Sequence, residues 1–245
     1  MNEPVYPITL VAGSKGAIGQ AVVSKLLNTR LLLIDRNEQN SDAKGQTDLV
    51  RRCKVDVTDA EAVGDIVQVT ENEWGPISSV VNLFGIHQAC EFDKITDEAW
   101  SAMFDVHVKG TFNVCRAVIP YMQRRGNGAI VNMSSSHLSP YARLATHYVS
   151  AKYAITGLTK ALAREKGPFG IRINAVAPGP VDSPMWRGSR YGDQVEAAKT
   201  ERSKLIPLRR IASVEDVANV IEFLLRPESD FITGHVIPID GGESI

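Results

Sequence analysis

Short apolar runs recur along the whole chain, and between them apolar residues fall at helical spacing; this alternation constrains the fold more than any other feature. Ile8–Val11, Leu31–Ile34, Cys53–Val57, Val80–Leu83, Ala129–Met133, Ile171–Val176 and His235–Ile239 read as strands. Leu31–Ile34 is apolar at every position, as a strand covered on both faces of a parallel sheet must be. Helices are expected over Ile18–Leu27 and near 59–73, 97–125, 146–167 and 213–225. Strand–helix alternation of this kind predicts an α/β chain: a single-domain, Rossmann-like doubly wound fold spanning 1–245, its seven-stranded parallel sheet flanked by helices.

Two stretches break the rhythm. Arg36–Arg52 is polar and rich in Asn, Gln and Asp, so its helix is expected to be short or replaced by loop. Residues 182–210 scatter Pro184, Gly188, Gly192 and Pro207 through a weak helical pattern. So long an irregular stretch in a compact domain is usually functional, and this one is expected to form the substrate loop or lid.

With 245 residues, 44% of them hydrophobic, the chain can bury an ordinary core without staples. A net charge of −1 excludes a general nucleic-acid binder or a polybasic membrane binder, which need a concentrated positive field. Cys53, Cys90 and Cys115 are far apart and form no CxxC pair, so they are expected to be reduced thiols, with no metal site. There is no basic stretch followed by an apolar one at the start, and no unbroken apolar run long enough to span a bilayer. A cytoplasmic protein without membrane association is expected.

Ala12-Gly13-Ser14-Lys15-Gly16-Ala17-Ile18-Gly19 joins the first strand to the first helix. Glycine permits the tight turn and close approach to a pyrophosphate, and the helix start offers free N–H groups. Asp35 follows 22 residues after Gly13, at the end of the second strand. A carboxylate there can accept from both hydroxyls of an adenosine ribose and repel a 2′-phosphate, which favours NAD over NADP. Arg36 and Lys15 pull the other way, and an Asp at a strand end can also be a simple turn former.

Tyr148 and Lys152 lie four residues apart at the start of a long helical stretch, so they share a face. An ammonium beside a phenol lowers a pKa ordinarily near ~10 toward the working range. Ser135 ends a strand 13 residues earlier and can hydrogen-bond a substrate oxygen. Taken alone, such a Tyr-x-x-x-Lys pair is usually a surface coincidence.

The order and spacing of several segments go further. The chain resembles the classical short-chain dehydrogenase/reductase family over essentially its whole length. The segments that carry the resemblance are the glycine turn at 12–19, Asp56-Val57, Asn82 to Gly85, Lys109-Gly110-Thr111-Phe112, Ile130 to Ser135, Tyr148 with Lys152, Asn174 to Gly179, and Thr233-Gly234 with Asp240-Gly241-Gly242. The resemblance implies an oxidoreductase that moves hydride between a nicotinamide and a secondary alcohol or ketone. By the same resemblance Tyr148 exchanges the proton, Ser135 orients and polarises the substrate oxygen, and Lys152 lowers the tyrosine pKa and holds the nicotinamide ribose. Gly13, Lys15, Ile18, Asp35, Arg36, Asp56, Val57, Asn82 and Gly85 then line the adenosine and pyrophosphate side, and Pro178, Gly179, Val181 and Ser183 the nicotinamide side. A homotetramer is implied, with a dimer next.

The pattern is not kept everywhere. Ala12 stands where the family has threonine, Ala17 where it has a glycine, and Phe84 where it has an alanine. His107 replaces the asparagine that in the family holds a water between the lysine and solvent. An imidazole also donates, accepts and titrates near neutrality, so it can serve the same relay or simply pack in a helix kink. Candidate substrate contacts are His87, His137, Leu138, Tyr141, Trp186, Arg187 and Arg190. Two alternatives stay open: a dinucleotide-binding regulatory protein, and epimerase or dehydratase chemistry on the same site.

Overall fold

In the computed structural model of the chain the described residues are 7–27, 29–38, 49–136, 144–188 and 194–245. The strands are β1 (Ile8–Ala12), β2 (Arg30–Asp35), β3 (Val50–Lys54), β4 (Ile77–Asn82), β5 (Gly128–Met133), β6 (Ile171–Pro178) and β7 (Val236–Ile239). They form one seven-stranded sheet in the order β3-β2-β1-β4-β5-β6-β7, with every neighbour parallel.

The helices are α1 (Ala17–Lys25), α2 (Ala60–Glu73), α3 (Asp97–Phe104), α4 (Gly110–Arg125), α5 (Thr146–Lys166), α6 (Pro184–Gly188), α7 (Val195–Leu205) and α8 (Val214–Leu225). Their starts are written in the sequence. Asp59 accepts from the N–H groups of Glu61 and Ala62 to open α2, Thr96 caps α3, and Ser213 with Asp216 forms a capping box on α8. Each such cap is worth about 1 kcal/mol.

Strand alternation divides the core into two layers. Leu10, Leu32, Ile34 and Ile130 face one side, where Val63 and Val67 of α2, Val114, Val118 and Met122 of α4 and Ala163 of α5 cover them. Val11, Leu31, Leu33 and Val131 face the other, against Val22 of α1 and Val217, Ile221 and Leu224 of α8. Burying a side chain of this size contributes about 1.5–3 kcal/mol, so both faces of the sheet are held.

Two boundaries differ from the sequence expectation. The third strand runs Val50–Lys54 rather than Cys53–Val57. It is an edge strand, paired only with β2, so it tolerates Arg51 and Arg52; the Arg51 guanidinium packs 4.6 Å from the Trp74 ring. Val55 and Val57 are apolar because they are buried under the α2–α4 layer, not because they pair. The helix expected over 97–125 is interrupted: α3 and α4 are joined by a π-helical turn, Asp105–Lys109. The 182–210 stretch contains α6 and α7 and is more regular than its prolines and glycines suggest. Of the polar Arg36–Arg52 segment, residues 39–48 lie outside the described residues.

The strand order reverses direction between β1 and β4. In open α/β sheets the crevice at such a switch point, beyond the carboxyl ends of the strands, is where ligands bind.

Candidate active site

The turn after β1 enters that crevice. Gly13 has φ +86°, and a Cβ on it would lie 2.5 Å from the Phe84 amide nitrogen, so the two turns flanking the switch point meet there only through a glycine. Gly19 is equally constrained, since a Cβ would fall 2.3 Å from the Gly13 carbonyl oxygen. Ala17 begins α1 in ordinary helical backbone, so the fold itself needs no glycine there. Gly16 starts α1 with no side-chain cap and no acidic residue in the first turn. The first N–H groups of α1 are thus left for a ligand, and a pyrophosphate fits them.

A cavity of about 340 Å³ opens beside this turn. One wall carries Ser135, Tyr148, Lys152 and His107; Pro178, Gly179, Val181 and Ser183 also line it, and Lys15 and Ile18 border it at the glycine turn. Met185 and Trp186 of α6, with Leu83, Phe84 and His87, supply apolar and aromatic surface.

Helix α5 is held in place by buried polar bonds. Asn82 Nδ2 donates to Asn132 Oδ1 (2.9 Å), and Asn132 Nδ2 donates to Thr159 Oγ1 (3.0 Å), tying β4, β5 and α5 together. His147, Ala151, Lys152, Ile155, Thr159 and Ala163 are the buried residues of α5, and Lys152 reaches the cavity from them. Its Nζ donates to the Met133 carbonyl (2.7 Å) and lies 5.5 Å from the Tyr148 ring centroid. A hydrogen bond links Ser135 to the Tyr148 hydroxyl.

The protonation pattern departs from the simple expectation of an ammonium lowering a phenol. Burial pushes the Tyr148 pKa above its ordinary value, outweighing the Ser135 bond that pulls it down. Burial also lowers Lys152 to about 7, so near neutrality the lysine is itself poised between charged and neutral forms.

His107 sits in the π-helical turn, 1% exposed. Its Nε2 lies 2.8 Å from the Ile86 carbonyl oxygen and 3.1 Å from the Ile86 nitrogen. The shorter contact favours an Nε2–H donor, which leaves Nδ1 as an acceptor, and Nδ1 has no partner among the described residues. Burial first, then the Lys152 charge, hold its pKa down to about 3, so the ring is neutral at working pH. A Cβ at Gly85 would lie 2.5 Å from the imidazole Cε1; that glycine makes room for the histidine. The Tyr148 ring stands edge-on to two imidazoles, His87 at 5.1 Å and His107 at 5.5 Å between centroids.

At the other end, Asp35 Oδ2 accepts from the Lys15 N–H (3.1 Å) and Oδ1 from the Asn37 N–H (2.9 Å), so the carboxylate is turned toward the glycine loop. Asp56 is exposed and accepts from the Thr58 N–H and hydroxyl; these bonds, and the nearby Arg36, hold its pKa below the usual carboxylate range. The Val57 carbonyl accepts from Asn113 Nδ2 (2.9 Å). Asn82 is a correction: its side chain turns inward to Asn132 at 2% exposure, and it does not line the cavity.

A family model described as Enoyl-(Acyl carrier protein) reductase matches residues 12–244. The chain belongs to the short-chain dehydrogenase/reductase family. It is 35% identical over 243 residues to the 3-oxoacyl-[acyl-carrier-protein] reductase of Thermotoga maritima, covering 96% of each chain. A gluconate 5-dehydrogenase from Burkholderia cenocepacia, solved in complex with NADP and tartrate, is 26% identical with a TM-score of 0.87, covering 97% of this chain and 95% of that one. An NAD+-bound xylitol dehydrogenase is 27% identical with a TM-score of 0.86, covering 98% and 100%. The short-chain dehydrogenase/reductase relatives thus include both cofactor types.

Against that family the substrate side is partly open. Of the candidate substrate contacts, Trp186 and His87 line the cavity. Arg187 does not; its Nε donates to Asp182 (2.7 Å), which also accepts from Lys199 (2.6 Å), so Asp182 draws α6 and α7 together. His137, Leu138, Tyr141 and Arg190 lie outside the described residues. The sequence reading missed two groups. His147 is fully buried next to Tyr148, with neither ring nitrogen partnered among the described residues, and only its position beside the tyrosine hinted at it. Glu38 is buried against the glycine turn, and nothing in its polar segment signals that.

Proposed function

We propose that this oxidoreductase is NAD(H)-dependent and passes hydride between the nicotinamide and a secondary alcohol or ketone, with Tyr148 as the acid/base. The observation that carries this reading is the convergence of Ser135, Tyr148 and Lys152 on one wall of a cavity that adjoins the uncapped start of α1. The nicotinamide, when bound, supplies or accepts the hydride. Gly13 to Ile18 would hold the pyrophosphate, Asp35 the adenosine ribose, Lys152 the nicotinamide ribose, and Pro178 to Ser183 the ring.

Tyr148 moves a proton to or from the substrate oxygen, and Ser135, bonded to it, fixes that oxygen within reach. Because burial keeps the phenol protonated, Tyr148 is in the form that donates to a carbonyl. Lys152 and the neutral imidazole of His107 form the route by which that proton is replaced, His107 offering its Nδ1 lone pair where relatives have an amide. Trp186, Met185 and Phe84 favour a substrate with an apolar body over a free polyol. Exposed Trp100, Phe112 and Tyr153 on α3, α4 and α5 support a homotetramer built on these helices. A cytoplasmic location is in keeping with the free cysteines, and among the described residues no helix is long and apolar enough to cross a membrane.

Absorbance of the reduced nicotinamide, followed across a panel of apolar ketones and alcohols, tests the reading. Turnover that Tyr148→Phe abolishes while dinucleotide binding survives is the expected result. Binding without turnover, indifferent to Tyr148→Phe, would instead show a regulatory dinucleotide sensor.

A further inference from the structure

We propose that Glu38 is an internal counter-anion that occupies the cations a 2′-phosphate would need, and so selects the cofactor together with Asp35. The inference rests on the reading that the glycine turn holds a dinucleotide. The geometry that suggests it is local and independent of Asp35's role.

Glu38 follows β2 by three residues, and its N–H donates to the Asp35 carbonyl (3.1 Å). Its side chain is only 5% exposed, a position a carboxylate holds only against compensating partners. Among the described residues three converge on it. Ser14 Oγ donates to Oε2 (3.5 Å), Lys15 Nζ lies 3.8 Å from Oε1, and Arg52 Nη1 lies 3.8 Å from Oε2. Ser14 is itself buried, and the Lys15 N–H is bonded by Asp35. Two carboxylates, Asp35 and Glu38, therefore meet at Lys15 of the glycine loop.

This arrangement resolves a conflict in the sequence. Lys15 and Arg36 beside a ribose site argue for a phosphate, and Asp35 argues against one. Glu38 neutralises Lys15 and also engages Arg52, a cation from β3 that no sequence pattern places near the glycine turn. At 3.8 Å the Lys15 contact is longer than a tight ion pair, so this cation is compensated without being locked. A dianionic phosphate entering this corner meets compensated cations and two like charges. Once the charge on Glu38 is removed, the positive charge of Lys15 and Arg52 is no longer offset from this side.

The test compares NADH and NADPH, which differ only by the 2′-phosphate, by the fluorescence of the reduced nicotinamide on binding at low salt. No turnover is required. Glu38→Gln is expected to tighten NADPH about tenfold while NADH changes less than about twofold. Adding Arg52→Met is expected to remove most of that gain. Glu38→Ser, which also vacates the space, is the second variant, and thermal melts of both establish that each is folded. Equal changes for the two dinucleotides, or tight NADH binding with no gain for NADPH in either folded variant, overturns this inference and leaves the proposed function standing. Failure of the unmodified chain to bind either dinucleotide overturns both.

Discussion

The two ends of the proposed cofactor path are built on different kinds of structure. At the nicotinamide end the reactive groups hang from β5, α5 and the π-helical turn, and buried bonds from Asn82 through Asn132 to Thr159 fix their spacing. At the adenosine end Asp35 closes β2, and Glu38 and Asp56 stand on the turns that follow β2 and β3 near the edge of the sheet. Atoms that must meet within a few tenths of an ångström need a rigid frame. A charge that only accepts or rejects a phosphate does not. The difference teaches that the chemistry should be sensitive to small changes far from it, whereas cofactor choice should change one side chain at a time.

Four experiments test that contrast. Tyr148→Phe should lower turnover by roughly a thousandfold, in the range lost with a general acid/base, and leave dinucleotide affinity unchanged; steady-state rates with direct binding measurements check it. Asn132→Ala removes the middle of the buried chain and strands the amide of Asn82 and the hydroxyl of Thr159. It should cost about 2–3 kcal/mol in denaturant unfolding and reduce turnover more than NADH affinity. Equal stability would show that the frame does not depend on these bonds.

The third experiment concerns pH. His107 has a folded pKa held down to about 3 from an ordinary 6.5. Between those values the unfolded chain binds the proton and the folded chain does not, so this residue's contribution to stability is lost as pH falls from about 6.5 toward 3. The slope approaches about 1.4 kcal/mol per pH unit. His107→Asn should flatten the acid limb of a stability profile measured by thermal melts across that window. Smallest of all, Asp56→Asn should change stability by less than about 0.5 kcal/mol, because its carboxylate is exposed and bonded only to Thr58. A loss as large as that of Asn132→Ala would erase the proposed distinction between the two ends.

Much of this was legible in the sequence, for identifiable reasons. Strands buried on both faces, such as Leu31–Ile34, leave continuous apolar runs, and the helix caps at Asp59, Thr96 and Ser213 are local chemistry. The spacing of Ser135, Tyr148 and Lys152 was readable because a helical repeat and a strand end determine it. The third strand was misplaced because burial of Val55 and Val57 imitates pairing. The protonation of Tyr148 and Lys152 was not readable, since it depends on how much water the fold removes. Nor was the inward turn of Asn82, which is set by Asn132, 50 residues away.

The π-helical turn at Asp105–Lys109 has one more consequence. Such a turn holds one residue more than an α-helix would place in the same length. Deleting a single residue there would let the turn close into plain α-helix with α4 still in phase with α3, whereas the same deletion at the start of α4 would rotate the rest of that helix by about 100°. Val114, Val118 and Met122 would swing off the sheet and Asn113 would lose its grip on Val57. This turn is therefore the place between α3 and α4 where the loss of one residue can be absorbed without turning a buried face outward.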